Sequence, residues 1–387
     1  MEEYYVDLHI HIGGTATGKP VKITGARSLT IENILIESTE RKGLDMIGVI
    51  DCHVPEVLHE LETFIQKGEV VELEEGGLRF QHVTLILGTE IEIYDENCKG
   101  PIHVLAFIPT IAKMKEFSAW MSQRMKNITL SSQRMYVQAV ELQTKVRQLD
   151  GLFIPAHIFT PYKSLYGKGV HSTLKEVFNP ELIDAVELGL SSDTMMADQI
   201  EELHSYSYVT NSDAHSLPKI GREHQIIRMV QPTFEELRKA LHRKDGREIV
   251  ANYGLDPKLG KYHRTTCDQC LTLLERSEEP CPSCGSSKIV KGVYDRLVEL
   301  KSFEGTYKNR PPYIHQVPLE FIPGLGPKTL EKLRNYFKTE MAIIHEAPEA
   351  ALHEIVPSAV AEFIIKARKG TLLLQSGGGG RYGKVEQ

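Results

Sequence analysis

Near the start of the chain Val6, Leu8, Ile10 and Ile12 alternate with Asp7, His9 and His11. A period of two predicts a strand that sends both histidines to one side, and Gly13 and Gly14 end it with His11 at its C-terminal mouth. The same pentapeptide also reads as a half-buried strand whose two histidines are satisfied internally. Apolar runs recur at 46–50, 83–87 with 91–93, 102–108, 152–156, 185–188, 206–210 and 225–230, and helical patterns lie between them. Thr30 can cap the first helix and Gly43 can end it. The longest helical stretch, about 111–149, breaks near Asn127-Ile128-Thr129. Strands alternating with helices over residues 1–255 predict an α/β fold with one continuous core.

Where the polar residues fall adds chemistry to that pattern. Asp51 and His53, Glu90, His157, and Asp213 with His215 follow the ends of predicted strands, while His103 starts its own. A barrel of parallel strands gathers such ends around one mouth. Imidazole and carboxylate donors suit Zn²⁺, Mn²⁺ or Fe²⁺ without choosing among them. His59, His242, His345 and His353 read as structural or surface residues. No Ser/His/Asp or Cys/His arrangement competes, so the expected nucleophile is water.

At 387 residues the chain has room for two or three units. Its net charge is −7, with the part from Lys258 onward net basic and the part before it net acidic. The first residues lack the order of a signal peptide and no apolar run is long enough to cross a membrane, so the expected location is the cytoplasm, near the nucleoid. Of six cysteines, Cys52 and Cys98 stand alone. Cys267-x2-Cys270 and Cys281-x2-Cys284 form two knuckles, which predict a closed, structural Zn²⁺ site in a module at 256–300. Residues 301–317 read as a linker. Within it Lys308 and Arg310 interleave with aromatics, a pattern that also fits a segment tracking a nucleic-acid backbone. In the region 318–370, Pro323-Gly324-Leu325-Gly326-Pro327-Lys328 precedes an amphipathic helix. Two glycines around Leu325 permit a hairpin whose amides, with Lys328, face a phosphate, as in a helix-hairpin-helix DNA binder. A weaker copy lies at 355–361. The glycine-rich tail, 371–387, is expected to be flexible.

Taken together, Asp7-x-His9-x-His11, Asp51-x-His53, Glu90, His103, His157 and Asp213-x-His215 resemble the polymerase and histidinol phosphatase (PHP) superfamily. That resemblance implies a distorted seven-stranded β/α barrel around two or three divalent ions, Zn²⁺ with Mn²⁺ or Mg²⁺ as alternatives. A PHP barrel followed by a four-cysteine module and a helix-hairpin-helix region is similar to the endonuclease Q family. The likeness implies a DNA repair endonuclease cutting on the 5′ side of uracil, hypoxanthine, xanthine and abasic sites by multi-metal activation of water, leaving 3′-hydroxyl and 5′-phosphate ends. Carried over by position, it places His9, His11, Glu90 and Asp213 on one ion and Glu90, His103 and His157 on a second. Asp51 or His53 would join His215 on a third, and Glu90, Asp213 and His11 would be the catalytic residues. Deaminated bases in double- or single-stranded DNA are the implied partner, with a replication sliding clamp as a candidate, although no clamp-binding peptide is evident. A flipped base needs a pocket, and Phe159, Tyr162, Tyr166 and His171 offer stacking surfaces near the metals. The alternative is a small-molecule phosphoesterase of the histidinol phosphatase kind, which leaves residues 256–370 without a role.

Overall fold

A computed structural model describes residues 1–275, 280–305, 307–372, 374–375 and 384–385. Three strands, β1 (Glu2–Ile10), β2 (Met46–Val49) and β3 (Val83–Ile93), run parallel with Asp7 opposite Ile47 and Ile47 opposite Leu85. β4 (Ile102–Ile108) returns antiparallel to β3, placing Glu90 opposite Leu105, and β5 (Leu152–Pro155) is antiparallel to β4. β6 (Ala185–Glu187) and β7 (Ser207–Val209) pair in parallel. The Asp184 amide donates to the Phe153 carbonyl, joining β5 to β6 at 3.0 Å. The ring closes where Ala214, just past β7, bridges the end of β1: its amide donates to His9 O and its carbonyl accepts from His11 N, both at 3.1 Å.

The seven strands form a distorted β/α barrel, and one of them corrects the all-parallel expectation. A parallel crossover needs a dozen or more residues, and the short connection 94–101 permits only a return beside β3. That reversal explains His103. Because β4 runs the other way, its first residues, not its last, reach the mouth. The barrel strands are buried on both faces; β2 and β4 are buried at every position, as helix-covered strands require.

Helices α1 (Ile31–Ile36), α2 (Pro55–Gln66), α3 (Ile111–Ser122) and α4 (Ala139–Gln148) cover the barrel. Thr30 caps α1 by accepting from Asn33 N, and the helical run ends at Gly43 with φ +76°. The stretch predicted as one broken helix is thus α3 and α4, and the loop between them delivers Ser131 and Ser132 to the metal centre.

Outside the ring, β8 (His224–Met229) lies antiparallel to β1, β9 (Glu248–Gly254) antiparallel to β8, and β10 (Tyr313–His315) parallel to β9. The stretch read as a linker therefore docks on the barrel sheet. It brings Arg310 with it. Expected to meet DNA, Arg310 instead pairs with Asp198 at 2.9 Å, donates to the carbonyls of Leu203 and Tyr206, and stacks over the Tyr208 ring. Lys308 remains exposed.

The four-cysteine module is a two-residue hairpin, Thr266–Cys267 against Ile289–Val290, followed by α5 (Val293–Leu300). The helical region, α6 (Pro327–Phe337), α7 (Glu349–Ile355) and α8 (Ser358–Arg368), has its own core of Leu325, Leu333, Leu352, Val360 and Ile364, which takes in Leu255 and Leu259 from the end of the barrel. A buried ion pair, Lys42 with Glu340 at 2.8 Å, fastens it to the barrel. In the tail, Leu374–Gln375 pairs antiparallel with Lys384–Val385; the rest of the segment expected to be flexible, apart from Thr371 and Leu372, lies outside the described residues. Among the described residues, no helix is long and apolar enough to cross a membrane.

Candidate metal centre

The strand ends converge. His9 and His11 leave β1 on the same side, and their Nε2 atoms both lie 3.4 Å from Asp213 Oδ1. Glu90 stands between two groups: Oε1 is 2.8 Å from His103 Nδ1 and 3.2 Å from His157 Nε2, while Oε2 is 3.7 Å from His11 Nε2. Three sets of donors can each surround one ion: His9, His11 and Glu90; Glu90, His103 and His157; and His11, Asp213 and His215.

Two expected ligands take another role. Asp51 Oδ2 accepts from His11 Nδ1 at 3.1 Å and from Ile12 N at 2.8 Å, so it orients His11 from behind. His53 lies buried with Nδ1 against the Thr89 hydroxyl at 2.8 Å. The third set therefore pairs His215 with His11 and Asp213 instead of Asp51 or His53.

Glu187, at the end of β6, carries no motif that singles it out. Its carboxylate accepts from His9 Nδ1 at 2.9 Å and from Asn211 Nδ2 at 2.7 Å. A carboxylate behind an imidazole fixes the tautomer and aims the other nitrogen outward, as around metal-bound histidines. Asn211 is itself committed, accepting from Leu8 N and Gln225 Nε2. Lys22, in the loop that follows β1, reaches Glu90 Oε2 at 3.1 Å and Ser132 Oγ at 2.6 Å.

Buried Nε2 atoms of His9, His11 and His103 have no hydrogen-bond partner. Such polar atoms are costly to bury unless something coordinates them, and the convergence of the His9 and His11 atoms on oxygens of Glu90 and Asp213 fits a divalent cation. The backbone bends to reach this geometry: His157 and Asp213 take φ +31° and +45°, a left-handed region non-glycine residues seldom enter. Each such residue costs on the order of 1–3 kcal/mol, which surrounding structure must hold in place.

The charges are consistent with a cation site. Burial would raise the Glu90 carboxyl, but the His103 imidazole and Lys22 ammonium hold it well below the usual range. Burial is likewise overcome at Asp213, chiefly by His9. Burial lowers His215 to about 4, so near pH 7 its ring is neutral and its lone pair available. His9 moves the other way: burial pushes it down, but Glu187 and Asp213 lift it to about 10. Cation binding at His9 Nε2 must then release that proton while Nδ1–H stays on Glu187. Proton and cation compete for one nitrogen, so affinity is expected to rise with pH up to about 10, by at most about tenfold per unit. Proton release on adding Zn²⁺ or Mn²⁺ in weak buffer checks this; no release would contradict it.

Beside the metal ligands lies a cavity of about 620 Å³ bordered by His157, Asp213, His215, Lys219, Arg222 and Lys261. None of Phe159, Tyr162, Tyr166 and His171 lines it. Phe159 and Tyr166 are buried and stacked on each other, with the Tyr166 hydroxyl donating to Glu202. Aromatics in the loop after β5 serve as its core. Tyr162 and His171 are exposed, and Tyr162 meets the cavity-lining Tyr262 edge to face at 5.6 Å. In the cysteine module all four sulfurs lie within 4.8 Å of one another, with Cys267–Cys284 at 3.6 Å and Cys270–Cys281 at 3.4 Å. The edge of a tetrahedral zinc–thiolate cage is about 3.8 Å, from Zn–S bonds of about 2.3 Å.

No protein-family model matches the chain. It is 56% identical over 386 residues to the Bacillus subtilis (strain 168) protein called "Uncharacterized protein YqxK", covering 100% of both. The crystal structure of the lesion-specific endonuclease PfuEndoQ from Pyrococcus furiosus superposes with a TM-score of 0.86 at 32% identity, over 100% of this chain and 95% of that one. A second crystal structure, endonuclease Q in complex with a 27-mer duplex bearing an abasic lesion at its active site, gives a TM-score of 0.85 at 32% identity, over 100% and 96%. Sharing sequence and fold with these enzymes from end to end, the chain belongs to the endonuclease Q family and is a nuclease.

Proposed function

We propose that this nuclease hydrolyses the DNA phosphodiester on the 5′ side of deaminated bases and abasic sites, leaving 3′-hydroxyl and 5′-phosphate ends. The observation that carries the proposal is the meeting of His9, His11, Glu90, His103, His157, Asp213 and His215 beside a cavity large enough for an extruded nucleotide, in a chain that matches PfuEndoQ throughout. Pockets for small ligands run from roughly 300 to 1,000 Å³.

Divalent ions held there supply the Lewis acidity that polarises a phosphodiester and brings the pKa of water near neutrality. The chain supplies the rest. Glu187 and Asp51 keep His9 and His11 aimed at the centre. Lys22 and Ser132 hold the second oxygen of Glu90. Lys219, Arg222 and Lys261 give the cavity a positive wall, complementary to the phosphates flanking a lesion. A flipped nucleotide occupies that cavity, a step that costs least where pairing is already weak. The four thiolates hold a structural Zn²⁺, and the hairpin at Gly324–Gly326 binds the DNA backbone away from the cut.

Purified, metal-loaded protein is expected to nick duplexes containing uracil or inosine and to spare the undamaged duplex. Equal cutting of all three, or none, would overturn the specificity; turnover of free phosphomonoesters without DNA affinity would favour the small-molecule reading.

The hairpin glycines make separable predictions. Gly324 has φ +79° and an added Cβ would lie 3.1 Å from Val360, so Gly324→Ala strains the fold. Gly326 starts α6 with an ordinary φ of −78° and nothing within 4 Å, so Gly326→Ala fills open space that a phosphate would enter. Gly326→Ala is expected to push the phosphate away from the hairpin amides and Lys328, weakening DNA binding and flattening its log–log salt dependence by about 0.9, the one phosphate that Lys328 neutralises, with Tm unchanged. Gly324→Ala lowers Tm as well. Titrations by anisotropy at several salt concentrations check both; an unaltered slope in Gly326→Ala would remove the hairpin from the DNA interface.

A further inference from the structure

Ile23 is 75% exposed, among the most exposed large apolar side chains of the described residues. Single exposed apolar residues are ordinary on protein surfaces. This one differs in where it is carried. It stands at the tip of a tight turn closed by the Gly25 amide donating to Lys22 O at 2.9 Å, a position where β-branched apolar residues are uncommon. Its neighbours on either side belong to the active-site region: Lys22 contacts Glu90 and Ser132, and Thr24 lines the cavity beside the metal ligands.

The turn is also fixed at both feet. Lys22 N donates to Ile12 O at 2.8 Å on one side, and Ala26 N donates to His215 O at 2.8 Å on the other. Its feet are thus tied to the segments that carry His11 and His215. A β-branched side chain has little rotamer freedom, so on this support Ile23 is a stiff apolar point at the rim of the cavity.

Taking the proposed reading as its basis, we infer that Ile23 is a wedge. It enters the base stack at the position that the damaged nucleotide leaves, while that nucleotide occupies the cavity behind Thr24. Isoleucine is among the residues that proteins insert between base steps, and insertion offsets the few kcal/mol of unstacking. The wedge matters most where the lesion is still paired and stacked, and least in a single strand, where there is no duplex to open.

The test uses the full-length, metal-loaded protein and one uracil-containing sequence, presented either paired with adenine in a duplex or as a single strand. Ile23→Ala is expected to slow nicking of the duplex by roughly tenfold more than nicking of the single strand. Ile23→Leu, which restores an apolar point, recovers most of the loss. Met195→Ala removes another highly exposed apolar side chain, 80% exposed, from elsewhere on the surface and leaves the ratio unchanged. A second readout does not need cleavage: 2-aminopurine placed next to the lesion brightens when wild-type protein binds and brightens much less with Ile23→Ala. Equal effects of Ile23→Ala on both substrates, an equal effect of Met195→Ala, or unaltered 2-aminopurine emission would overturn the wedge while leaving lesion-specific nicking in place. Wild-type protein that nicks neither substrate would instead overturn the function on which the wedge rests.

Discussion

Glu90→Gln is expected to abolish strand cleavage, by on the order of 10³-fold or more, while DNA affinity stays within about twofold. The amide preserves size and one acceptor but removes the charge that serves both sides of the centre. Oε1 sits 2.8 Å from His103, 3.2 Å from His157 and 3.8 Å from His9 Nε2, and Oε2 lies 3.1 Å from Lys22 and 3.7 Å from His11 Nε2. Among the described residues, no other carboxylate belongs to both of these donor sets. Metal content per chain should fall in parallel, measured by elemental analysis, and nicking followed on a sequencing gel should vanish on every lesion. A variant that still cuts within tenfold of wild type would show that Glu90 is not shared between ions.

Removal of the ion from the cysteine cage is expected to unfold the segment around residues 265–291 and leave the barrel folded. Among the described residues, the module's apolar core is Cys267, Leu274 and Cys281, with Ile289 packed against it. A core that small does not fold by burial alone, and metal binding in comparable peptides supplies about 10–16 kcal/mol of apparent stability. With a strong chelator, the four cage thiols should react with a thiol reagent under native conditions, whereas Cys52 and Cys98, both buried, stay protected until global unfolding. Cys267→Ser should lose one ion per chain and expose the same segment to protease. Unchanged thiol protection after complete removal of metal would mean that packing, not a cation, holds the module together.

The strand positions were legible because their apolar runs are short, β-rich and separated by helical periods; 102–108 coincides with β4 and 83–93 with β3. Strand direction was not legible from periodicity, which is the same for either direction, although the length of the 94–101 connection held the information about β4. The donor residues could be recognised because His and acidic residues at strand ends are rare without a purpose. Their ranking was harder. Asp51 and His215 look alike in sequence, yet one backs His11 and the other faces the cavity, and only the closure of the ring at Ala214 decides which. Glu187 escaped notice because an acid inside an apolar run, Ala185-Val186-Glu187-Leu188, signals nothing until His9 is seen beside it. Arg310, Phe159 and Tyr166 show the opposite case. Residue types suited to DNA are equally suited to closing an interior, and Arg310 between Asp198 and Tyr208 does the latter.

The docking of β10 on β9 bears on anyone who would dissect this molecule. A catalytic fragment ending at Gly254 would keep every ligand of the barrel's metal centre, yet it would bare backbone of β9 that now hydrogen-bonds residues 312–316 and delete Leu255 and Leu259 from the core they share with the helical region. Exposed strand edges invite pairing with other chains, so such a fragment should self-associate. Cleavage and DNA gripping are therefore best separated by point substitutions in the intact polypeptide, not by scissors.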